Sequence, residues 1–526
     1  MRVVTGTEMR EIDKRAIKEY KIPSLDLMEA AGHAVAHRAE VILKGMGEGN
    51  VLVVAGPGNN GGDGFVAARQ LHDTGHTVTV MVVGDEADIK GDAAINLKKL
   101  DGLVKPVFNP DKAALQRACV ETDLAIDALY GTGFHGHPPE TATEPICALN
   151  HGGSYVLAID IPSGVEADTG RIGGAVVEAN ETSTFGLPKL GCVVYPGAAY
   201  AGELNVVDIG FPAELLDTAG HIERPTPEEM AALLPPRDPQ AHKKSVGRVL
   251  VVAGSRGMTG AAALAAMAAL RAGAGLVVLA CPESLQKIFE IKLTEVMTVG
   301  LPETAIGTIA KDATEKIIEL AADFDVLIVG PGLSTNAASA EAVCAIAGTT
   351  ELPLVLDADG LNALAATDNG REIIKERAGE IIVTPHPGEL ARLIGQETRA
   401  IQADRLAAAG EAAGELNVVT VLKGAATVVA APDGRLSVNS TGNAGLATAG
   451  TGDVLAGLIG GLWAQRTTAE DAAILGVYLH GLAGDLAALA LTEYSLVAND
   501  LIEYMPDAFS ATLEARVRPT IKSEEE

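Results

Sequence analysis

VLVVAGPGNNGGDGFVAARQL, residues 51–71, reads as strand, glycine-rich loop and helix in direct succession. The unbroken apolar run 51–55 is the pattern of a strand buried on both faces, and the glycines that follow cannot continue it. In doubly wound α/β folds such a loop lies at the carboxyl end of the sheet, where ligands bind. The spacing does not match the GxGxxG dinucleotide fingerprint cleanly. Asn59, Asn60, Gly61, Gly62 and Asp63 set two amides and a carboxylate beside bare backbone, a combination suited to a phosphate, a ribose or a cation. A plain turn favours Asn and Gly but does not need this many polar groups.

The α/β alternation extends outward from this stretch. Apolar positions at helical spacing over 7–42, interrupted at Ile22-Pro23-Ser24, predict two helices; 77–83 and 124–129 predict strands, and 92–100 a helix. The strand at 124–129 ends in DALYGTGF (127–134), and the one at 155–161 runs into DIPSGVEADTG (160–170). Asp127 and Asp160 are therefore expected at strand carboxyl ends, on the same edge as the NNGGD loop. From 211 to 240 prolines crowd the chain, ending one domain and stiffening the approach to another, with the boundary placed near 220.

RVLVVAGS at 248–255 restarts the strand-and-loop device, and strands are predicted at 276–279, 326–329, 354–356, 381–383 and 418–422. They lead into GPGL (330–333), DADGLNAL (357–364), TPHPGEL (384–390) and KGAAT (423–427). The stretch NSTGNAGLATAGTGDVLAGLIGGL, 439–462, then offers two glycine turns before an apolar helix starting near Asp453. Close backbone approach and a helix amino terminus favour an anion such as phosphate. A carboxylate there repels phosphate unless it has separate work, such as activating a hydroxyl that attacks the phosphoryl group; the plainer reading of Asp453 is a helix cap. His386, between two prolines at a strand end, and Lys423, after the apolar run 418–422, are ligand-edge candidates, whereas His480 and the loop histidines His135 and His137 read as structural or surface residues.

Composition limits the function classes. The formal net charge of −29 argues against nucleic acid and anionic membranes as partners and suits a salty or potassium-rich cytosol. Aromatics at 3% with 59 glycines favour close helix-on-sheet packing. The five cysteines form no CxxC pair, so neither a disulfide framework nor a zinc site is indicated. The amino terminus mixes charges without an apolar core, and the best apolar run, 261–281, is broken by Arg271, so a buried helix, turn and strand are expected there rather than a membrane span. A cytoplasmic protein is expected, as is a homo-oligomer.

NNGGDG, DALYGTG and DIPSG together resemble the amino-terminal YjeF family, the NAD(P)H-hydrate epimerases with a Rossmann-like fold, over roughly residues 1–215. The resemblance implies that Asn59 to Asp63, the run Gly131, Thr132, Gly133, Phe134, His135, Gly136 and His137, and Asp160 contact the hydrated nicotinamide nucleotide. It also implies that Asn60, Asp127 and Ser163 hold a potassium ion. Inverting a hydroxyl-bearing carbon next to the ring nitrogen needs a proton donor and acceptor, the role expected of Asp160. HKKSVGRVLVVAGS, LDADGLNAL, TPHPGE, LKGAAT and NSTGN with AGTGD resemble the ribokinase-like carboxy-terminal YjeF family, the ADP- or ATP-dependent NAD(P)H-hydrate dehydratases, over about 225–515. Where relatives often have HKG, this chain has His242-Lys243-Lys244-Ser245.

By that likeness Lys423, Gly424, Ala425, Ala426, Thr427 and Gly452 bind the adenine nucleotide, while Ala261, Gly332, His386 and Asp453 face the hydrate. Asp453 would activate the hydroxyl for phosphorylation, with an expected Mg²⁺ neutralising phosphoryl charge. The expected architecture is thus a Rossmann-like epimerase domain, 1–220, and a ribokinase-like dehydratase domain, 221–526. Its substrates would be NADHX and NADPHX, with ADP favoured over ATP. The alternative is a ribokinase-like small-molecule alcohol kinase carrying an amino-terminal nucleotide-sensing module.

Overall fold

The computed structural model describes residues 1–47 and 49–517, and the chain divides into two compact units, the first Met1–Ile222 and the second beginning at Glu223. In the first unit seven strands pair in parallel, in the spatial order Val107–Phe108, Val78–Val82, Val51–Ala55, Leu124–Ala128, Tyr155–Ile159, Glu181–Phe185, Glu203–Val207. The chain winds outward from Val51–Ala55 in one direction and then returns to its other side with Leu124–Ala128. The crevice between those two strands is the topological switch point of this sheet; NNGGD, expected as a loop, is the first turn of the helix Asn59–Asp73, and it and DALYGTG open onto that crevice.

The glycines at the start of the helix Asn59–Asp73 work by close approach: a side chain on Gly61 would sit 1.9 Å from the Gly56 carbonyl oxygen, and one on Gly64 2.6 Å from Ala128 Cβ. The helix is thereby seated directly on the two switch-point strands. Gly6–Lys18 and Ser24–Met46 are the two amino-terminal helices, the first closed by a Thr5–Glu8 capping box.

In the second unit the sheet runs Leu436–Val438, Val428–Ala430, Val419–Leu422, Ile381–Val383, Leu354–Leu356, Val326–Val329, Arg248–Val252, Leu276–Pro282, Met297–Leu301. The seven strands from Val419–Leu422 to Met297–Leu301 are parallel, and the two carboxy-terminal ones add on as antiparallel hairpin strands. Its switch point lies between Arg248–Val252 and Val326–Val329. The helix Thr451–Trp463 packs there with almost no side chain in the seam. A Cβ on Gly457 would meet the Ala265 carbonyl oxygen at 2.1 Å, one on Gly461 the Ala269 carbonyl oxygen at 2.4 Å, and one on Gly460 Ile328 Cδ1 at 2.5 Å.

The helix Ala498–Val517 runs straight through Pro506. Burial of Leu501, Ile502, Met505 and Ala508 against the core outweighs the hydrogen bond that the proline removes. The run 261–281 is a helix (Thr259–Arg271), a turn and a strand, as expected, but the helix long and apolar enough to cross a membrane is Ala469–Leu491, and half of its most apolar window is buried inside the unit.

Candidate active sites

In the first unit a cleft of about 710 Å³ opens at the switch point, lined by Asn59, Asn60, Asp63, Gly131–His137 residues and Asp160. Asp160 follows the strand Tyr155–Ile159 with a left-handed backbone, φ 66°, a conformation a short polar side chain tolerates and most residues do not. Its Oδ1 accepts from the Lys189 ammonium at 2.5 Å, from Thr184 Oγ1 at 3.3 Å and from the Phe185 N–H at 3.3 Å. Lys189 is 1% exposed and spends its remaining protons on the Phe185 carbonyl (2.8 Å) and Thr184 Oγ1 (3.2 Å). Sequence reasoning missed Lys189; its signal was a lone cation inside the apolar run FGLPKLGCVV, which a buried lysine requires a carboxylate to balance.

Beneath the cleft Asp127 is fully buried. Its Oδ1 accepts from Ser163 Oγ (2.7 Å) and the Leu129 N–H (3.2 Å), and its Oδ2 from the Ser163 N–H (2.8 Å), while Ser163 Oγ accepts from the Tyr130 N–H at 2.9 Å. Burial pushes the Asp127 carboxyl up to about 6 despite these donors. Asn60 places its side chain against Gly131, and its amide nitrogen is buried without a partner. Of the glycines expected at the ligand, Gly61 and Gly62 turn to packing instead, Gly62 against Met28 and Ala93. Gly136 is also off the cleft, its N–H going to Glu166 Oε1 at 2.8 Å, while His135 and His137 line the cleft as exposed residues.

In the second unit the strand ends converge on one ammonium. Lys423, just past Val419–Leu422, lies 2.7 Å from Asp357 Oδ1 and 3.7 Å from Glu389 Oε2. Thr384 Oγ1 donates to the same Asp357 oxygen at 2.7 Å. Burial works against the Lys423 charge, but Asp357 and Glu389 outweigh it and hold the ammonium's pKa above its ordinary value. A Cβ on Gly452 would stand 3.4 Å from Lys423 Nζ, which brings the Gly452–Asp453 turn to the same point.

Asp453 is not a cap: Gly450 takes that position, and no side chain caps the helix start, which leaves the first-turn N–H groups facing outward. Burial first, then the charge of Asp357, raises the Asp453 carboxyl to about 7 against the pull of Lys423. His386 caps the helix Pro387–Ile394: its Nδ1 accepts from the Gly388 N–H at 3.0 Å, so the neutral ring carries its proton on Nε2, 3.3 Å from Glu389 Oε1. The ring is 51% exposed and linked to Lys423 through Glu389. Gly332 and Ala261 are adjacent, a Cβ on the glycine standing 3.1 Å from that of the alanine.

The KGAAT loop is braced from behind by Arg405, whose guanidinium donates to the carbonyls of Leu422 (2.9 Å), Ala426 (3.3 Å) and Ala425. The first glycine turn is not an open anion cradle: the Gly442 N–H already donates to Asp485 Oδ2 at 2.8 Å and the Gly445 N–H to Asn443 Oδ1 at 2.9 Å. His480, fully enclosed, bonds the Thr451 carbonyl at 2.9 Å and fixes the second turn from below. Asp357, Glu389 and Arg405 join Lys189 as residues to which sequence reasoning assigned no role.

Two doubly wound α/β units, one with a carboxylate–ammonium pair in an open cleft and the other with a near-neutral carboxyl beside an uncapped helix and a half-buried lysine, define a two-domain α/β enzyme with a candidate site in each unit. Residues 24–191 match the family model described as YjeF-related protein N-terminus, and 249–507 the one described as NAD(P)H-hydrate dehydratase. The chain is 45% identical over 515 residues to the bifunctional NAD(P)H-hydrate repair enzyme Nnr of Moorella thermoacetica, covering 96% of each, and 41% identical over 518 residues to that of Thermofilum pendens, covering 98% of this chain and 97% of the other. It belongs to the family of bifunctional NAD(P)H-hydrate repair enzymes. Among solved structures, an ADP/ATP-dependent NAD(P)H-hydrate dehydratase from Bacillus subtilis, co-crystallised with ATP/Mg²⁺, is 33% identical, with 55% of this chain and 97% of that one covered and a TM-score of 0.47.

Proposed function

We propose that the first unit epimerises the R and S hydrates of NADH and NADPH and that the second dehydrates the S form, in the cytoplasm. The observation that carries the reading is Asp453: a carboxyl raised to about 7, beside the half-buried Lys423 and at the open amino end of a helix, suits activation of a hydroxyl for phosphoryl transfer. Asp453 takes the hydroxyl proton as oxygen attacks the donor's terminal phosphorus and the donor's bridging P–O bond breaks. The ring nitrogen's lone pair then expels phosphate, and loss of a proton from the neighbouring ring carbon restores the double bond of NAD(P)H. Lys423 and the Gly452 N–H lie where the moving phosphoryl charge would be met. Ala261, Gly332 and His386 border the hydrate, and the braced loop 423–427 the adenine nucleotide, with ADP as the favoured donor.

Among the described residues no group of three or more His, Cys, Asp or Glu forms a metal cage. Mg²⁺ is expected to be carried largely by the donor's phosphate oxygens and one or two carboxylates. In the first unit the Asp127 carboxylate, Ser163 hydroxyl and Asn60 amide are all hard oxygen donors, and the raised pKa of buried Asp127, which has hydrogen-bond donors but no ion-pair partner among the described residues, is what a cation would offset. These residues fit K⁺, which would screen that charge and fix the floor of the cleft. Asp160 is the acid–base group of the epimerisation. A homo-oligomer is read from the open edge strand Met297–Leu301, where Met297 and nearby Ile291 are exposed; light scattering checks it.

Recovery of nicotinamide absorbance from a mixed hydrate preparation, with Mg²⁺ and either ADP or ATP, tests both halves. Complete recovery is expected, falling to a partial plateau in Asp160→Ala and to none in Asp453→Ala. A stable phosphorylated alcohol in place of phosphate and NADH would favour a small-molecule kinase instead.

A further inference from the structure

The cleft of the first unit holds more carboxyl groups than cations to balance them. Asp13, Asp63 and Asp160 all line it, near enough that the charge of Asp160 bears on both of the others. Lys189 has committed its three protons to Asp160, Thr184 and the Phe185 carbonyl. Arg10, also on the lining, is an exposed rim residue whose guanidinium goes to the Thr132 carbonyl and Thr7 Oγ1. Asp160 is thus the paired carboxylate. Asp63, on the helix Asn59–Asp73, is nine-tenths buried, and its carboxyl has no hydrogen bond or ion pair among the described residues. The tight seating of Gly61 and Gly64 on the strands beneath fixes the helix turn that carries it.

A buried carboxyl with neither cation nor donor keeps its proton. Burial, reinforced by the charges of Asp160 and Asp13 and only partly offset by that of Lys189, holds Asp63 well above the usual carboxylate range. The cleft therefore presents one anionic and one protonated carboxyl from different elements, the arrangement that lets two carboxyls divide acid and base roles.

Resting on the epimerase reading above, we propose that Asp63 is the proton donor that works opposite Asp160: the pair opens and recloses the hydrated nicotinamide ring. Asp160 takes the proton from the substrate hydroxyl, the C–O bond becomes a carbonyl, the bond from that carbon to the ring nitrogen breaks, and Asp63 delivers its proton to the nitrogen. After rotation about the freed chain the steps reverse: Asp63 recovers the nitrogen's proton, nitrogen attacks the other carbonyl face, and Asp160 returns its proton to the oxygen. No electron is gained or lost, and both carboxyls end as they began.

The test follows conversion of the purified R hydrate into S by chromatography, in the full-length protein without nucleotide. Asp63→Asn keeps the shape and neutrality of the protonated acid while removing the transferable proton. Its kcat is expected to fall about 10²–10⁴-fold with KM nearly unchanged. Asp63→Ala should lose as much and regain part of it with added formate, which replaces a missing acid but repairs no structural defect. Dehydration of S hydrate by the second unit, unchanged in both variants, reports that the second unit is intact, and an unchanged unfolding transition of the first unit reports that the cleft is folded. If Asp63→Asn keeps kcat within about threefold, if formate restores nothing, or if Asp13→Asn causes the loss instead, the assignment falls while the epimerase reading stands. A wild-type protein that does not interconvert the hydrates removes both.

Discussion

Asp453→Asn should cost the enzyme its dehydration step and make the second unit more stable, and the two effects should separate with pH. The Asp453 carboxyl rises from an ordinary 3.8 to about 7 because the fold buries it near Asp357. At about 1.4 kcal/mol per pKa unit, holding it ionised above neutrality costs the fold up to about 4 kcal/mol. Partial exposure to solvent screens some of this, so a gain of ~2–4 kcal/mol is expected for the neutral asparagine. The sign follows from the raised pKa: the folded protein binds the proton more tightly, so wild-type stability is fullest below 3.8 and is lost as pH rises through 7. The variant's advantage must then be near zero at acid pH, grow through the interval and level off above it. Urea unfolding of the second unit in both proteins at several pH values reads the difference, and nucleotide-dependent NADH recovery should fall about 10²–10⁴-fold. A stability gain that does not change with pH, or full activity in the variant, would refute the reasoning.

Lys189→Met strands the Asp160 carboxylate and should destabilise the first unit by about 3–5 kcal/mol; adding Asp160→Asn should recover most of it, as unfolding curves of the single and double variants would show. Burial lowers His480 to about 4, so its ring should stay neutral in the folded protein between 4 and its ordinary 6.5, and stability should decline as pH falls through that window; an NMR titration of the imidazole measures it directly. Arg405→Lys loses the planar fork that reaches the loop carbonyls and should raise KM for the nucleotide about tenfold while leaving kcat nearly intact, by initial-rate kinetics.

The fold was legible wherever a buried parallel strand wrote itself as an apolar run: 326–329, 354–356 and 381–383 coincide with the strands of the second unit. Loop chemistry was legible by residue type, since Asp127, Asp160, Lys423 and Asp453 all stand at strand ends or a helix start. Partnership was not. That Lys189 answers Asp160, or that Asp357 answers Lys423, depends on separations of 29 and 66 residues that no local pattern encodes. The first glycine turn misled for the same reason, because the carboxylate that occupies its Gly442 N–H comes from Asp485, in a later helix. Pro506, a residue that locally disfavours a helix interior, sits inside Ala498–Val517 because the assembled core buries that helix's apolar face.

The helix that carries Asp453 rests on its neighbour through Gly457 and Gly461, with backbone against backbone and nothing between to yield. A larger residue at either place would lift the helix as a rigid lever, and the carboxylate at its tip would travel with it. Saturation mutagenesis of this protein should therefore find a second stripe of intolerance, as severe as that of the acid itself, at positions with no chemistry of their own. A survey of such data that ranked positions by sensitivity alone would mistake the hinge pins for the tool.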